Sequence, residues 1–151
     1  MSLKTRRITA AIYPVPCHLV DRFFEGKSKV FVKFLARNTT KLAPKNKIIF
    51  YASHGSKKLI GEGIIESIEF IPPEIVLSKY KKELFLSEAE LHAYVKRSPL
   101  RTYSKNMLTI VFKKIRKYAE PKKYNKPITM AGLYLDANEY RCLFQKEQIH
   151  S

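Results

Sequence analysis

The stretch from Ile48 to Ile71 limits the possible folds more than any other. Ile48 to Ala52, IIFYA, is an unbroken apolar run of strand type. Ser53-His54-Gly55-Ser56 is a turn, and Leu59 to Ile71, LIGEGIIESIEFI, resumes β-branched sequence. Two strands joined by so short a turn form a hairpin. Its second arm is long and carries Gly61 and Gly63 in its interior. Glu62, Ile64, Glu66, Ile68 and Phe70 share one parity, while Gly61, Ile65, Ser67, Glu69 and Ile71 share the other. Neither face is cleanly apolar, so the arm is predicted to be twisted or bulged. Pro72-Pro73 ends it.

Other segments supply further strands with helices between them. ITAAIY, 8 to 13, reads as a strand ended by Pro14 and Pro16. Residues 17 to 25 place Leu19, Val20, Phe23 and Phe24 at helical spacing before Gly26. VFVKFLA, 30 to 36, is predicted as a strand, and 38 to 46 as a loop. Ser87-Glu88-Ala89-Glu90 is a capping box with Leu86 and Leu91 at the staple positions, so a helix is expected over about 88 to 97, stopped by Ser98-Pro99. MLTIVFKKIRKYA, 107 to 119, is predicted as a strand that begins apolar and turns basic. Pro121 to Pro127 is a basic loop and ITMAGLYL, 128 to 135, a short strand with a glycine kink. Asp136 to Glu139 repeats the capping logic before a last helix, with Tyr140, Leu143 and Phe144 inward and Cys142 on the apolar side. With no repeat, low-complexity tract or linker, residues 1–151 are expected to form a single α+β domain. Its sheet is predicted to be small, mostly antiparallel and barrel-like, with helices inserted between strands.

Composition excludes several classes. A chain of 151 residues with 45% apolar side chains can bury a core without disulfide or metal staples. No apolar run approaches the ~20 residues of a membrane span, and the first residues show no signal-peptide cleavage pattern. The two cysteines, Cys17 and Cys142, are too few for a secreted scaffold. A cytoplasmic protein is expected. Abundant Lys and Ile with little Gln hints at a heat-loving archaeal source.

The net charge of +16 favours a polyanionic partner, nucleic acid before an anionic membrane surface or mere solubility. The charge is segregated. Residues 1 to 60 hold 13 basic against 2 acidic side chains, and 96 to 126 hold 11 against Glu120 alone, whereas 61 to 95 are acidic. Two places interleave cations with tyrosine as RNA recognition does: Lys96 to Lys105, with Arg97, Arg101 and Tyr103, and Lys113 to Tyr124, with Tyr118. Tyr103 and Tyr118 are candidates for base stacking, and Arg97 and Arg101 for bidentate phosphate contacts.

Enzyme templates are thin. There is no P-loop, GxGxxG, HExxH or GxSxG. His18, His54, His92 and His150 have no metal-ligand spacing, so neither metal nor cofactor is expected. Cys17 beside His18 is read as inert, because adjacent side chains rarely face each other. The glutamates of the middle segment are read as a solvated edge that offsets the basic blocks.

The order of elements resembles the PUA-like superfamily, which includes PUA, ASCH, EVE and YTH domains, over roughly residues 17 to 147. A helix leading to Gly26-Lys27 and the strand Val30 to Leu35 is similar to the opening of ASCH domains. Leu42 to Tyr51, LAPKNKIIFY, followed by Ile60-Gly61-Glu62-Gly63-Ile64-Ile65, is similar to the next two strands of those domains. Gly132-Leu133-Tyr134-Leu135 before a capped helix is similar to their end. This chain departs from the pattern at Lys45 and Asn46, which stand for Gly and Asp. Phe31 and Lys33 occupy the positions of an acidic residue and an arginine, and the tryptophans of EVE relatives are absent.

The resemblance implies a PUA-like pseudo-barrel that binds a structured or modified RNA. In that fold the strand from 30 to 37, the Ser53-His54 turn and residues 101 to 105 would surround one cleft. Lys33, Arg37, Lys41, Arg101 and Lys105 would hold phosphates, Tyr103 would stack, and Ser53 or His54 would hydrogen-bond. The alternative it implies is a small ASCH-like amidohydrolase acting on a modified nucleoside through Lys33, or Lys27, and Glu62, although no Thr falls at the matching spacing. A third reading is an RNA contact made only within a ribonucleoprotein partner complex.

Overall fold

The computed structural model describes residues 7–37, 39–99, 101–102 and 104–145. The elements are β1 Ile8–Val15, α1 Cys17–Phe24, β2 Val30–Lys33, β3 Lys47–Ala52, β4 Leu59–Ile71, α2 Pro73–Tyr80, α3 Glu88–Lys96, β5 Met107–Lys122, β6 Leu133–Asp136 and α4 Ala137–Cys142. The strands form one sheet in the order β2-β5-β4-β3-β1-β6. Every pairing is antiparallel except that of β1 with β3. The hairpin expected between β3 and β4 is present, and β4 shifts register against β5 at Ile65 as its mixed faces predict.

The sheet is rolled. β1 and β2 stand four places apart in the strand order, which in a flat sheet would separate them by about 19 Å. Yet the ring of Tyr13 on β1 stacks on that of Phe31 on β2 at 5.8 Å between centroids. The roll is therefore a pseudo-barrel left open at a seam, where side chains rather than backbone hydrogen bonds join β2 to β1. Phe23 of α1 fills the interior, 5.3 Å from Phe50 and 5.4 Å from both Phe85 and Phe112. Alternation along β1 sends Ala11, Tyr13 and Val15 into this core. Ala10 and Ile12 point the other way, into a second core with Ile49, Leu59, Tyr118 and Leu135, against which Tyr140 and Phe144 pack.

Helix caps position the outer elements. Ser87 and Glu90 form the predicted capping box on α3, and Asp136 and Glu139 the one on α4. Arg22 of α1 clamps α3 to the core: its guanidinium donates to both Glu90 carboxylate oxygens, at 2.5 and 3.0 Å, and to the Phe85 carbonyl at 2.7 Å. That pairing holds the Glu90 carboxyl far below the usual range, at about 2.

Several boundaries differ from expectation. β1 continues through Pro14, which stands opposite Tyr51. β6 reaches only as far as Ile12, so the neighbouring edge is free at Pro14 and its missing N–H costs no ladder bond there. β2 stops at Lys33, after which the Phe34 amide donates to the Tyr94 hydroxyl. Pro72-Pro73 ends β4 but also opens α2, since proline fits the first helical turn, where its N–H is not needed. β6 is confined to Leu133–Asp136. Cys142 is exposed, not core: Tyr140, Leu143 and Phe144 take the inward side against the second core, which leaves Arg141 and Cys142 facing solvent.

Gly132 precedes β6 with φ +79°, and a Cβ there would lie 2.4 Å from Tyr13 Cδ1 and 2.7 Å from the Ile12 carbonyl. Backbone cannot yield as a flexible side chain can. Gly132→Ala is therefore expected to destabilise the protein by at least about 2 kcal/mol. In a thermal melt this lowers Tm by roughly 5 °C or more.

Candidate nucleic-acid interface

A cleft of about 320 Å³ opens at the seam of the roll. Its apolar walls come from Pro14 and Val15 of β1, Phe31 and Val32 of β2, Phe85 before α3, and Met130 of the β5–β6 loop. α3 supplies the facing wall. Glu90, Ala93, Tyr94 and Arg97 all line the cleft, at the i, i+3, i+4, i+7 spacing that puts them on one helical stripe. Met130 is 64% exposed, one of two large apolar side chains so exposed among the described residues.

Lys33 ends β2 inside this cleft and is 7% exposed. Its ammonium lies 5.3 Å from the centroid of the Tyr13 ring. Among the described residues no carboxylate forms an ion pair with it and no acceptor takes a hydrogen bond from it. Burial, with the nearby Arg101 guanidinium, pulls its pKa down to about 8. A cation held in an apolar cleft without a counter-ion is poised to receive an anion. Glu90 does not serve as that counter-ion, because its carboxylate is taken by Arg22 and the Ser87 amide.

The structure brings together four of the residues singled out in the sequence: Lys33, Ser53, His54 and Arg97 all line the cleft. The Ser53 hydroxyl sits 3.4 Å from His54 Nδ1 at the turn that links β3 to β4. Arg101 stands beside them. It donates to the Tyr94 carbonyl at 3.0 Å and lies over the rings of Tyr94 and Phe34 at 4.4 and 5.4 Å. Lys105 reaches the far side of Phe34, at 6.0 Å. Arg37 and Lys41 are exposed and do not line the cleft. Tyr103 lies outside the described residues.

Glu62 is elsewhere. It is 3% exposed and points into the second core, where it accepts hydrogen bonds from Tyr118 at 2.8 Å and Tyr140 at 2.7 Å. Lys47 and Arg116 lie 3.6 and 3.4 Å from it. Glu62 is thus the hub that ties α4 to β3, β4 and β5, and it lies on the opposite face of the sheet from Lys33. The paired Lys33 and Glu62 of the hydrolase expectation are not brought together. Tyr118 is correspondingly buried and engaged with Glu62, which corrects its reading as a stacking residue. Among the described residues no three His, Cys, Asp or Glu side chains gather closely enough to hold a metal ion.

A family model described as a domain of unknown function, DUF365, matches residues 8–137. The chain belongs to the DUF365 family. A relative is an uncharacterized protein of Methanocaldococcus jannaschii, 37% identical over 106 residues, covering 66% of this chain and 98% of the relative. The fold of this DUF365 protein is similar to that of the ASCH protein from Zymomonas mobilis, with a TM-score of 0.74 at 19% identity over 89% of this chain and 93% of the other. A variant of that protein matches with a TM-score of 0.75 at 18% identity, over 92% of this chain and 96% of the other. The structural neighbours are thus ASCH domains of the PUA-like superfamily, as the sequence motifs imply. The fold is mixed α+β with an open six-stranded sheet. Among the described residues no helix of this DUF365 protein is long and apolar enough to cross a membrane.

Lys33 makes stability depend on pH in a defined direction. Its pKa is lower folded than unfolded, so between about pH 8 and pH 10 the unfolded chain binds more protons and stability rises with pH. Below pH 8 the buried charge is a constant cost. Lys33→Met removes it and is expected to stabilise the protein at pH 7 by about 3 kcal/mol. It should also abolish the rise between pH 8 and pH 10 in denaturant titrations.

Proposed function

We propose that this protein binds RNA through the seam cleft, seating one unpaired or modified base between the apolar walls while Lys33 takes an adjacent phosphate. The observation that carries this reading is Lys33 itself, a buried cation without a counter-ion in a cleft whose volume suits a single base. Met130 offers the base an exposed, polarisable side chain, and Tyr94, its ring covered by Arg101, forms part of the wall. Ser53 and His54 supply hydrogen-bonding groups for its edge. Arg97 and Arg101 extend the positive potential from the floor to the rim, where phosphates of flanking nucleotides would pass. The likeness in fold to ASCH domains is consistent with this reading. Cytoplasmic RNA, free or within a ribonucleoprotein, is the partner this predicts.

Geometry favours binding over hydrolysis of a modified nucleoside. A Lys–Glu pair needs its carboxylate within reach of the amine, and Glu62 is committed to Tyr118 and Tyr140 across the sheet.

The test is the affinity of RNA hairpins with unpaired loops for the wild-type protein and for Lys33→Met. Losing one charge-assisted contact costs about 1.5–3 kcal/mol, so Kd should rise roughly 10- to 100-fold. Wild-type affinity should also weaken as pH rises through about 8, since the ammonium loses its charge there. Unchanged affinity in Lys33→Met at pH 7 would remove the cleft from the interface.

A further inference from the structure

The second basic block of the sequence, Lys113 to Lys123, takes no part in the cleft. β2 pairs with β5 only from Leu108 to Val111, so beyond that point one edge of β5 is unpaired by any strand among the described residues. The other edge is paired with β4 as far as Lys117, and once more at Lys122 after a register shift. Pairing with β4 skips Lys113, since Ile65 faces Phe112 and Ile64 faces Lys114. After this bulge Lys114 and Arg116 share the face of Tyr118, while Lys117 turns to the opposite face, 5.7 Å from the centroid of the Phe24 ring. The strand is therefore a ribbon with cations on both faces and free backbone N–H groups along one side. From Lys114 to Lys122 it runs beside β4 from Ile64 to Leu59, a length of about 17 Å.

Arg116 is partly neutralised by Glu62. Lys113, Lys114, Lys117 and Lys123 are exposed, and among the described residues none of them is ion-paired. An RNA that splays out its bases would need open stacking platforms, and among the described residues no ring beside this ribbon is fully exposed: Tyr118 is buried and donates to Glu62, while the half-buried Phe24 and Phe144 are covered by Lys117 and by Arg116 and Lys122. Flexible cations and backbone donors without exposed rings match the sugar-phosphate backbone of a double helix.

We infer that the overhanging half of β5 is a second RNA contact, gripping the backbone of a helical stem without reading its sequence. This inference rests on the proposed RNA-binding function and adds the class of RNA: a paired stem beside the base that enters the cleft. The same lysines also deter strand addition at an exposed edge, and that role alone would leave RNA affinity untouched.

The experiment measures binding of a labelled RNA hairpin across a salt series by the wild-type protein, by Lys33→Met and by a triple variant, Lys113→Gln with Lys114→Gln and Lys117→Gln. All three lysines are exposed, so the triple variant should melt at the wild-type temperature. Its slope of log affinity against log salt is expected to shrink by roughly 2 to 3, the loss of three phosphate contacts, for paired and loop-bearing RNA alike. Lys33→Met should lose at most about 1 from the slope while losing preference for the unpaired base. A triple variant with the wild-type slope overturns the second contact but leaves the cleft reading intact. A wild-type protein that binds no RNA overturns both. Binding of the wild-type protein to phosphatidylserine vesicles in preference to the hairpin, abolished in the triple variant, would also overturn it by assigning the ribbon to a membrane surface.

Discussion

The contact of Tyr13 with Phe31 across the seam determines the shape of everything else. Six strands could lie as an open twisted sheet with one face against helices. Here two rings from strands four places apart stack face to face, and the sheet is rolled. Rolling gives the sheet an inside large enough for Phe23, Phe50, Phe85 and Phe112 to pack as one aromatic cluster. It also leaves a gap that no backbone ladder closes. The cleft occupies that gap, so the same incomplete closure that defines the fold creates a cavity of about 320 Å³.

The two faces of the sheet divide the labour. Inside the roll, among the described residues, the buried charge is Lys33, left without a carboxylate. On the outer face the exception is Glu62, a charge surrounded by partners: two tyrosine hydroxyls, a lysine and an arginine. A buried carboxylate whose two oxygens both accept hydrogen bonds fixes structure; a buried ammonium with no acceptor among the described residues is open to an anionic ligand. Glu62 anchors α4 and Lys33 waits in the cleft. From sequence Glu62 reads as part of a solvated edge and Lys33 as a phosphate contact, with the two paired only in the hydrolase alternative; the fold separates their roles and buries Glu62.

That contrast also marks the limit of what residue pattern reveals. The hairpin from Ile48 to Ile71, both capping boxes and the resemblance to ASCH domains were legible in the chain. Local signals suffice for them: turn residues, cap spacing, strand propensity and charge. The burial of Tyr118 was not legible, because a tyrosine between lysines looks like a stacking residue until its partner, 56 positions away, is known. Likewise α2 was hidden behind two prolines that signal a stop but also suit a helix start. The stripe Glu90, Ala93, Tyr94, Arg97 carries a visible spacing, yet nothing in it says which surface the helix will face. Long-range pairing decides such matters, and the β1–β3 and β2–β5 contacts cannot be inferred from periodicity.

One more consequence lies in the outermost strands. Both sheet borders, β2 and β6, are only four residues long, and β2 is capped by the chain at Leu84, which bridges to Val30. A border so brief presents few free donors and acceptors to a neighbouring molecule. The unpaired backbone along the far half of β5 is fenced by like charges that repel a second copy of themselves. A β-rich chain that must stay dispersed at high concentration has, in this arrangement, a built-in safeguard against growing its sheet from molecule to molecule.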